Sequence, residues 1–232
     1  MAVGFSLLSR GMGLARMVIL ANSPMQILLI HGLARTSLSL LSLEQALRQA
    51  GHPTEQFGYF AFAEGFDAIA QRLCQRFQRL GTAGPYAVVA HSLGGVLTRA
   101  ALGLGCQATP DHVVMLGTPN QPPRLAPLAW KLPPFQWFTG QCGFNLTSQN
   151  FYDQLPLLPS PYTIVAGTGG PRGLLSPFGE DINDGVVALQ ETYMTEADAV
   201  LQVPAWHTFM MNHPQVRRII MERLLSSALK KR

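Results

Sequence analysis

Charge is what this sequence has least of. Only 13% of its residues are Asp, Glu, Lys or Arg, while 47% are hydrophobic; a typical soluble domain has about 25% charged residues. That balance excludes intrinsic disorder, which needs low hydrophobicity and high charge. It also excludes a coiled coil or a charged scaffold. Cysteine is scarce as well: Cys74, Cys106 and Cys142 are odd in number and far apart. They are read as neither a disulfide framework nor a CxxC metal site, which points to a reducing, cytoplasmic compartment. Long apolar runs are absent, since none reaches the roughly 18 residues a membrane span needs. Arg10 and Arg16 precede only the short run Met17 to Ala21, too little for a signal sequence. Residues 1–25 are therefore read as an N-terminal extension, either an overlong start or a frayed tail. An amphipathic anchor or export signal is the alternative.

The basic excess is small, a net charge of +4. Part of it lies in Arg217, Arg218, Arg223, Lys230, Lys231 and Arg232. No aromatics are interleaved with these charges, so nucleic acid is not an expected partner. A solvated helix face is the first reading, and a transient touch on a membrane surface the second. No G-x-G-x-x-G or P-loop follows the first strand-like run, which disfavours a dinucleotide enzyme.

What is present is an alternation of short apolar runs and helical stripes across a single expected domain, residues 26–232. Gln26–Ile30, Glu55–Phe60, Tyr86–Ala90, His112–Leu116, Tyr162–Ala166 and Val200–Val203 read as six strands, the better ones apolar on both faces. Leu40, Leu43 and Leu47 recur at helical spacing before Gly51. Phe66, Ile69, Leu73, Phe77 and Leu80 do so before Gly81. A small-residue helix is expected from Leu93 to about Leu104. A last helix starts at Pro214, with Val216, Ile219, Ile220, Leu224 and Leu225 on one face. Alternation of this kind predicts an α/β fold: a mostly parallel sheet with helices on both faces. Residues 119–160 break the rhythm. They are rich in proline and aromatics, and are read as a cap or lid over the carboxyl edge of the sheet.

The sharpest chemical signal is Ala90-His91-Ser92-Leu93-Gly94-Gly95. It directly follows a strand and opens a helix, the setting of a nucleophile elbow. The turn is tight, so small residues are needed two before and two after the serine; Ala90 and Gly94 meet that need. The bland alternative is a serine N-cap. A serine hydroxyl needs a base, and the base needs an orienting acid. Of the six histidines, His31 and His91 sit in turns and read as supports. His52 and His112 start elements, where a surface role is expected. His207, between the last strand and the last helix, is the candidate base, and His213 is its rival, more apt as a cap beside Pro214. Asp184, in Asn183-Asp184-Gly185, is the candidate acid, with Asp181 as the alternative. An oxyanion needs backbone donors, and the amides of Leu93 and Leu33 are placed to give them. Trp130, Trp137 and Phe138 are candidates for an acyl groove, or are simply cap core.

Together, I-H-G-L-A-R-T, A-H-S-L-G-G, L-G-T-P-N-Q, N-D-G-V-V and W-H-T-F-M-M occur in the order expected of bacterial lipases and esterases of the α/β-hydrolase fold. The resemblance covers about residues 26–229. It implies Ser92, Asp184 and His207 as a triad, hydrolysis of an acyl ester or lipid as activity, and a lid near Pro122–Phe144. Some such lipases carry a calcium-binding Asp two residues after the catalytic His. Phe209 stands there, so neither a metal nor another cofactor is expected. Acyl transfer, thioester hydrolysis and a non-catalytic lipid-binding shell remain open alternatives. Aspartate-based dehalogenase chemistry is disfavoured, because the elbow carries Ser92.

Overall fold

The computed structural model describes residues 24–230, with side chains to Ser227. The extension with Arg10, Arg16 and Met17–Ala21 lies outside the described residues, as do Lys231 and Arg232. The six expected strands form one parallel sheet. They are β1 (Gln26–Ile30), β2 (Thr54–Phe57), β3 (Tyr86–His91), β4 (His112–Leu116), β5 (Tyr162–Gly167) and β6 (Val200–Val203). Their order is β2-β1-β3-β4-β5-β6. The central strands are buried on both faces, so their side chains divide with a period of two. Leu28, Ile30, Val88, Ala90, Val113 and Met115 enter one core. Ile27, Leu29, Ala87, Val89, Val114 and Leu116 enter the other.

Helices fill both sides. The first core is covered by α2 (Phe66–Ala83) and α3 (Leu93–Gly103), the second by α1 (Leu41–Gln49) and α7 (Pro214–Lys230). The stripe Phe66, Ile69, Leu73, Phe77 and Leu80 is buried as its spacing predicts. On α7, Val216, Ile219, Ile220 and Leu224 are buried, while Leu225 is only half-buried.

Strands β3 and β5 run one residue past their expected ends, and other parts differ more from the sequence reading. Strand β2 stops at Phe57, because Tyr59 leaves the ladder to stack on His31, ring centroids 4.2 Å apart. Gly81 does not end α2. It lies where a Cβ would overlap Ala108, and the helix runs on to Gly84, whose φ of 144° a side chain would resist. The cap stretch folds as three short helices, α4 (Ala126–Trp130), α5 (Pro133–Asn145) and α6 (Gln149–Gln154).

The cysteine reading is also corrected. Cys74 on α2 and Cys106 after α3 form a disulfide, with Cα atoms 5.7 Å apart and a sequence separation of 32. The packing of α2 on α3 brings them together. The cysteines therefore give no ground for a reducing compartment. Cys142 is free, and burial pushes its thiol up to about 12, so it stays protonated at neutral pH. No helix among the described residues is long and apolar enough to cross a membrane.

The order of the strands locates the site. The chain leaves β1 toward β2 on one side, then returns to place β3 on the other side of β1. Ligands of open α/β sheets bind at the carboxyl ends of the strands beside such a switch point. Gly32 follows β1 and Ser92 follows β3, so both flank that crevice.

Candidate active site

Ser92 occupies the one-residue turn between β3 and α3. Its φ is 53° and its ψ −122°, a strained conformation for a residue with a side chain. The turn closes because Gly94 lies against the Ile30 and His31 carbonyls, where a Cβ would come within 2.7 and 2.8 Å. Gly32 approaches as closely from the other side, its missing Cβ 3.0 Å from that of Ser92. The elbow thus lifts the hydroxyl over the sheet edge and seats the Leu93 amide at the first turn of α3. Amides there have no partner within the helix.

The hydroxyl of Ser92 meets His207, with Oγ 3.0 Å from Nε2. His207 Nδ1–H in turn donates to Asp184 Oδ2 at 2.7 Å. Asp184 is 1% exposed. Its other oxygen accepts from the Val186 and Val187 amides at 3.0 and 2.7 Å, so the carboxylate is fixed by its own loop. Gly185, with φ 95°, makes that loop tight enough. The His207 amide donates to the Asp184 carbonyl at 2.8 Å, tying both loops together. The rivals are engaged elsewhere. Asp181 pairs with Arg124 at 2.8 Å. His213 accepts from the Gln215 amide and caps α7.

The two turn histidines support this line. His91 Nε2–H donates to the His207 carbonyl at 3.0 Å. His31 donates to the Gly32 carbonyl at 2.9 Å, and the Tyr59 hydroxyl donates to the carbonyl of His31 at 3.0 Å. Burial holds His91 well below the ordinary value near 6.5; His207 and the Arg35 cation add to that effect, and the bond to the His207 carbonyl opposes it. Burial lowers His31 too, against its bond to Gly32. Both therefore stay neutral when folded at a pH where the unfolded chain binds protons. Their stabilising contribution is complete above about pH 6.5 and is lost as pH falls below it, at a slope of up to about 1.4 kcal/mol per pH unit for each group. Thermal unfolding followed between pH 7.5 and 5 should show the midpoint falling, with a shallower fall in His91→Gln. An equal slope in that variant would show that His91 does not contribute.

His52 and His112 depart from the surface role expected of them. His52 is 8% exposed and accepts from the Met25 amide, joining the start of β1 to the loop before β2. His112 is half-buried, its Nε2 2.8 Å from Thr163 Oγ1 on β5.

Beside Ser92 opens a cavity of about 360 Å³. Leu33, Leu125, Ala126, Phe135, Leu146 and Val187 are in its wall, with His207 and Ser92 at its floor. Of the three expected groove residues, none lines it. Trp137 is 78% exposed, and Trp130 packs on Phe144. Phe138, 63% exposed, lines a separate cleft of about 470 Å³ beside Arg35. Helix α5, which carries Trp137 and Phe138, breaks at Gly140, with φ 48°. Phe135 reaches both the Ser92 cavity and the second cleft, Phe138 on the same helix face reaches only the second, and Trp137 points to solvent.

Gly117, in the L-G-T-P-N-Q motif, directly follows β4. A Cβ there would stand 3.0 Å from Asp184 Oδ2 and 3.1 Å from His207 Nδ1. Its absence leaves room for the Asp–His hydrogen bond. Arg35, directly after the turn at Ala34, also lines the Ser92 cavity. Among the described residues no group of three or more His, Cys, Asp or Glu is arranged to hold a metal ion.

This is an α/β-hydrolase fold with a Ser–His–Asp hydrogen-bonded line at its carboxyl edge. The model of the Alpha/beta hydrolase family matches residues 27–223, and the chain belongs to that family. No curated protein matches it by sequence. Among solved structures, the mature form of a Bacillus licheniformis lipase is similar at 20% identity and a TM-score of 0.69, covering 88% of this chain and 92% of that one. The RedJ thioesterase of the Streptomyces coelicolor prodiginine pathway is similar at 14% identity and a TM-score of 0.56, covering 90% and 92%. A thermophilic esterase from Thermogutta terrifontis is similar at 13% identity and a TM-score of 0.56, covering 89% and 92%.

Proposed function

We propose that this α/β hydrolase cleaves carboxylic esters through an acyl-enzyme on Ser92. The observation that carries this reading is the line of hydrogen bonds from Ser92 through His207 to Asp184, 3.0 and 2.7 Å, opening on an apolar cavity. In the proposed reaction the Ser92 oxygen attacks the acyl carbonyl as its proton passes to His207 Nε2. Asp184 holds the imidazole in the tautomer whose Nε2 is free to accept, and offsets the imidazolium charge. The amides of Leu33 and Leu93 receive the developing oxyanion; such donors are worth about 10²–10³ in rate. The imidazolium then protonates the departing alkoxide. Water, deprotonated by the same nitrogen, releases the acid and restores Ser92.

The apolar wall around Phe135 and Leu146 supports an acyl chain as the group bound there. The similarity to lipase, esterase and thioesterase structures supports acyl transfer to water without choosing a head group. The test is a panel of p-nitrophenyl esters of rising chain length, run beside labelling by a fluorophosphonate probe. The expected result is turnover with a chain-length optimum, and a single adduct mapped to Ser92. Folded protein that hydrolyses no ester and takes no label would overturn the reading and favour a non-catalytic shell.

A further inference from the structure

The wall of the Ser92 cavity contains a single permanently charged side chain, Arg35. The adjoining cleft shares that residue, and there too it is the sole charged group. No carboxylate lines either space. Among the described residues, no hydrogen bond or ion pair engages the guanidinium. Its Nε is fully buried and without a partner.

This sets Arg35 apart from the other arginines set into the surface. Arg99 gives its donors to the Asn120, Leu155 and Pro156 carbonyls. Arg124 pairs with Asp181 and Glu191. Arg76 pairs with Glu55. An exposed cation needs no partner, but a sequestered N–H without an acceptor is costly and rare in folded proteins. Ala34, just before it, is held at φ 52°, a strained backbone conformation for a residue with a side chain. Its charge also bears on His31 and His91, the histidines under the elbow.

We infer that Arg35 is a specificity residue: it binds an anionic group, carboxylate or phosphate, carried by the ester substrate a few bonds from the scissile carbonyl. The inference rests on the reading of Ser92 as nucleophile and narrows its substrate class. A planar guanidinium fork matches either anion bidentately. Apart from Arg35 the two walls carry no permanent charge, so an anionic substrate meets one fixed cation and no carboxylate, which discriminates against a neutral analogue. Phe60, Phe62 and Phe138 in the second cleft leave room for a hydrocarbon portion beyond the anion.

The test compares matched ester pairs. Mono-p-nitrophenyl glutarate beside its methyl ester places a carboxylate on the acyl side. An acylglycerol phosphate beside the corresponding acylglycerol places a phosphate on the alcohol side. In the wild type, kcat/KM should favour the anionic member of at least one pair by about tenfold or more. The responding pair identifies the source of the charge. Arg35→Gln should erase that preference, Arg35→Lys should keep part of it, and added salt should lower kcat/KM for the anionic ester alone. The wild-type comparison of each matched pair needs no variant, so equal turnover would overturn the inference even if a variant misfolds. Equal turnover of both members of each pair, or a preference that survives Arg35→Gln, would overturn the inference and leave ester hydrolysis standing. No turnover of any ester, together with an unlabelled Ser92, would overturn both.

Discussion

Ser92→Ala should lower kcat for p-nitrophenyl esters by about 10⁴–10⁶, the range found when a serine nucleophile is removed from a hydrogen-bonded triad. The fluorophosphonate adduct should disappear with it. The fold should persist, because the deletion removes one hydroxyl whose bond to His207 lies at a partly open surface. A second substitution separates chemistry from strain. Ser92 sits at φ 53°, ψ −122°, where a Cβ is disfavoured by about 1–3 kcal/mol. Alanine keeps that Cβ, and glycine does not. Ser92→Gly should therefore be as inactive as Ser92→Ala yet unfold at a higher temperature. Calorimetry of the two variants side by side checks this. Activity retained in Ser92→Ala would remove Ser92 from the reaction. Equal midpoints for the two variants would show that the elbow stores no strain.

Much of the fold was legible because its determinants are local. A strand buried on both faces reads as an unbroken apolar run, and Gln26–Ile30, Tyr86–His91 and His112–Leu116 are found where those runs lie. The elbow was legible for the same reason: the small residues flanking Ser92 are required by a turn only a few residues long. Order along the chain then singled out Asp184 and His207, and those are the side chains the loops after β5 and β6 bring to Ser92.

What escaped the sequence depends on contacts between distant segments. Cys74 and Cys106 carry no local mark of their bond, which exists because α2 lies on α3. His52 looks like a loop residue until the start of β1 is laid beside it. The cavity wall could not be read from aromatic content. Which face of α5 meets the cavity is set by its packing on the rest of the fold: Phe135 lines the wall, while Trp137 and Phe138 are exposed. Gly117 illustrates the same limit. Its value is the space it leaves for an Asp–His bond made by two other loops.

Asp184→Asn is the substitution that tests the proposed mechanism most directly, because it keeps the side chain's shape while replacing one carboxylate oxygen by an NH₂ and removing the charge. The carboxylate accepts from the Val186 and Val187 amides through Oδ1 and from His207 through Oδ2. An asparagine can keep its carbonyl oxygen on the two amides, so the loop and the fold should hold. Its NH₂ would then face Nδ1 of His207 and can only donate to it. The imidazole is forced to carry its proton on Nε2, where it opposes the Ser92 hydroxyl instead of accepting from it. A wrong tautomer of this kind costs about 10⁴ in kcat. KM should change little, since Asp184 lies beneath His207 and outside the cavity wall. Asp181→Asn is the matched control. That residue is exposed and pairs with Arg124, so its loss removes a surface ion pair worth at most about 1 kcal/mol of stability and should leave kcat within about threefold. Steady-state kinetics on both variants separates the two carboxylates. A large fall in Asp181→Asn with near-normal Asp184→Asn would reverse the roles, and would require the loop 181–187 to rearrange when substrate binds.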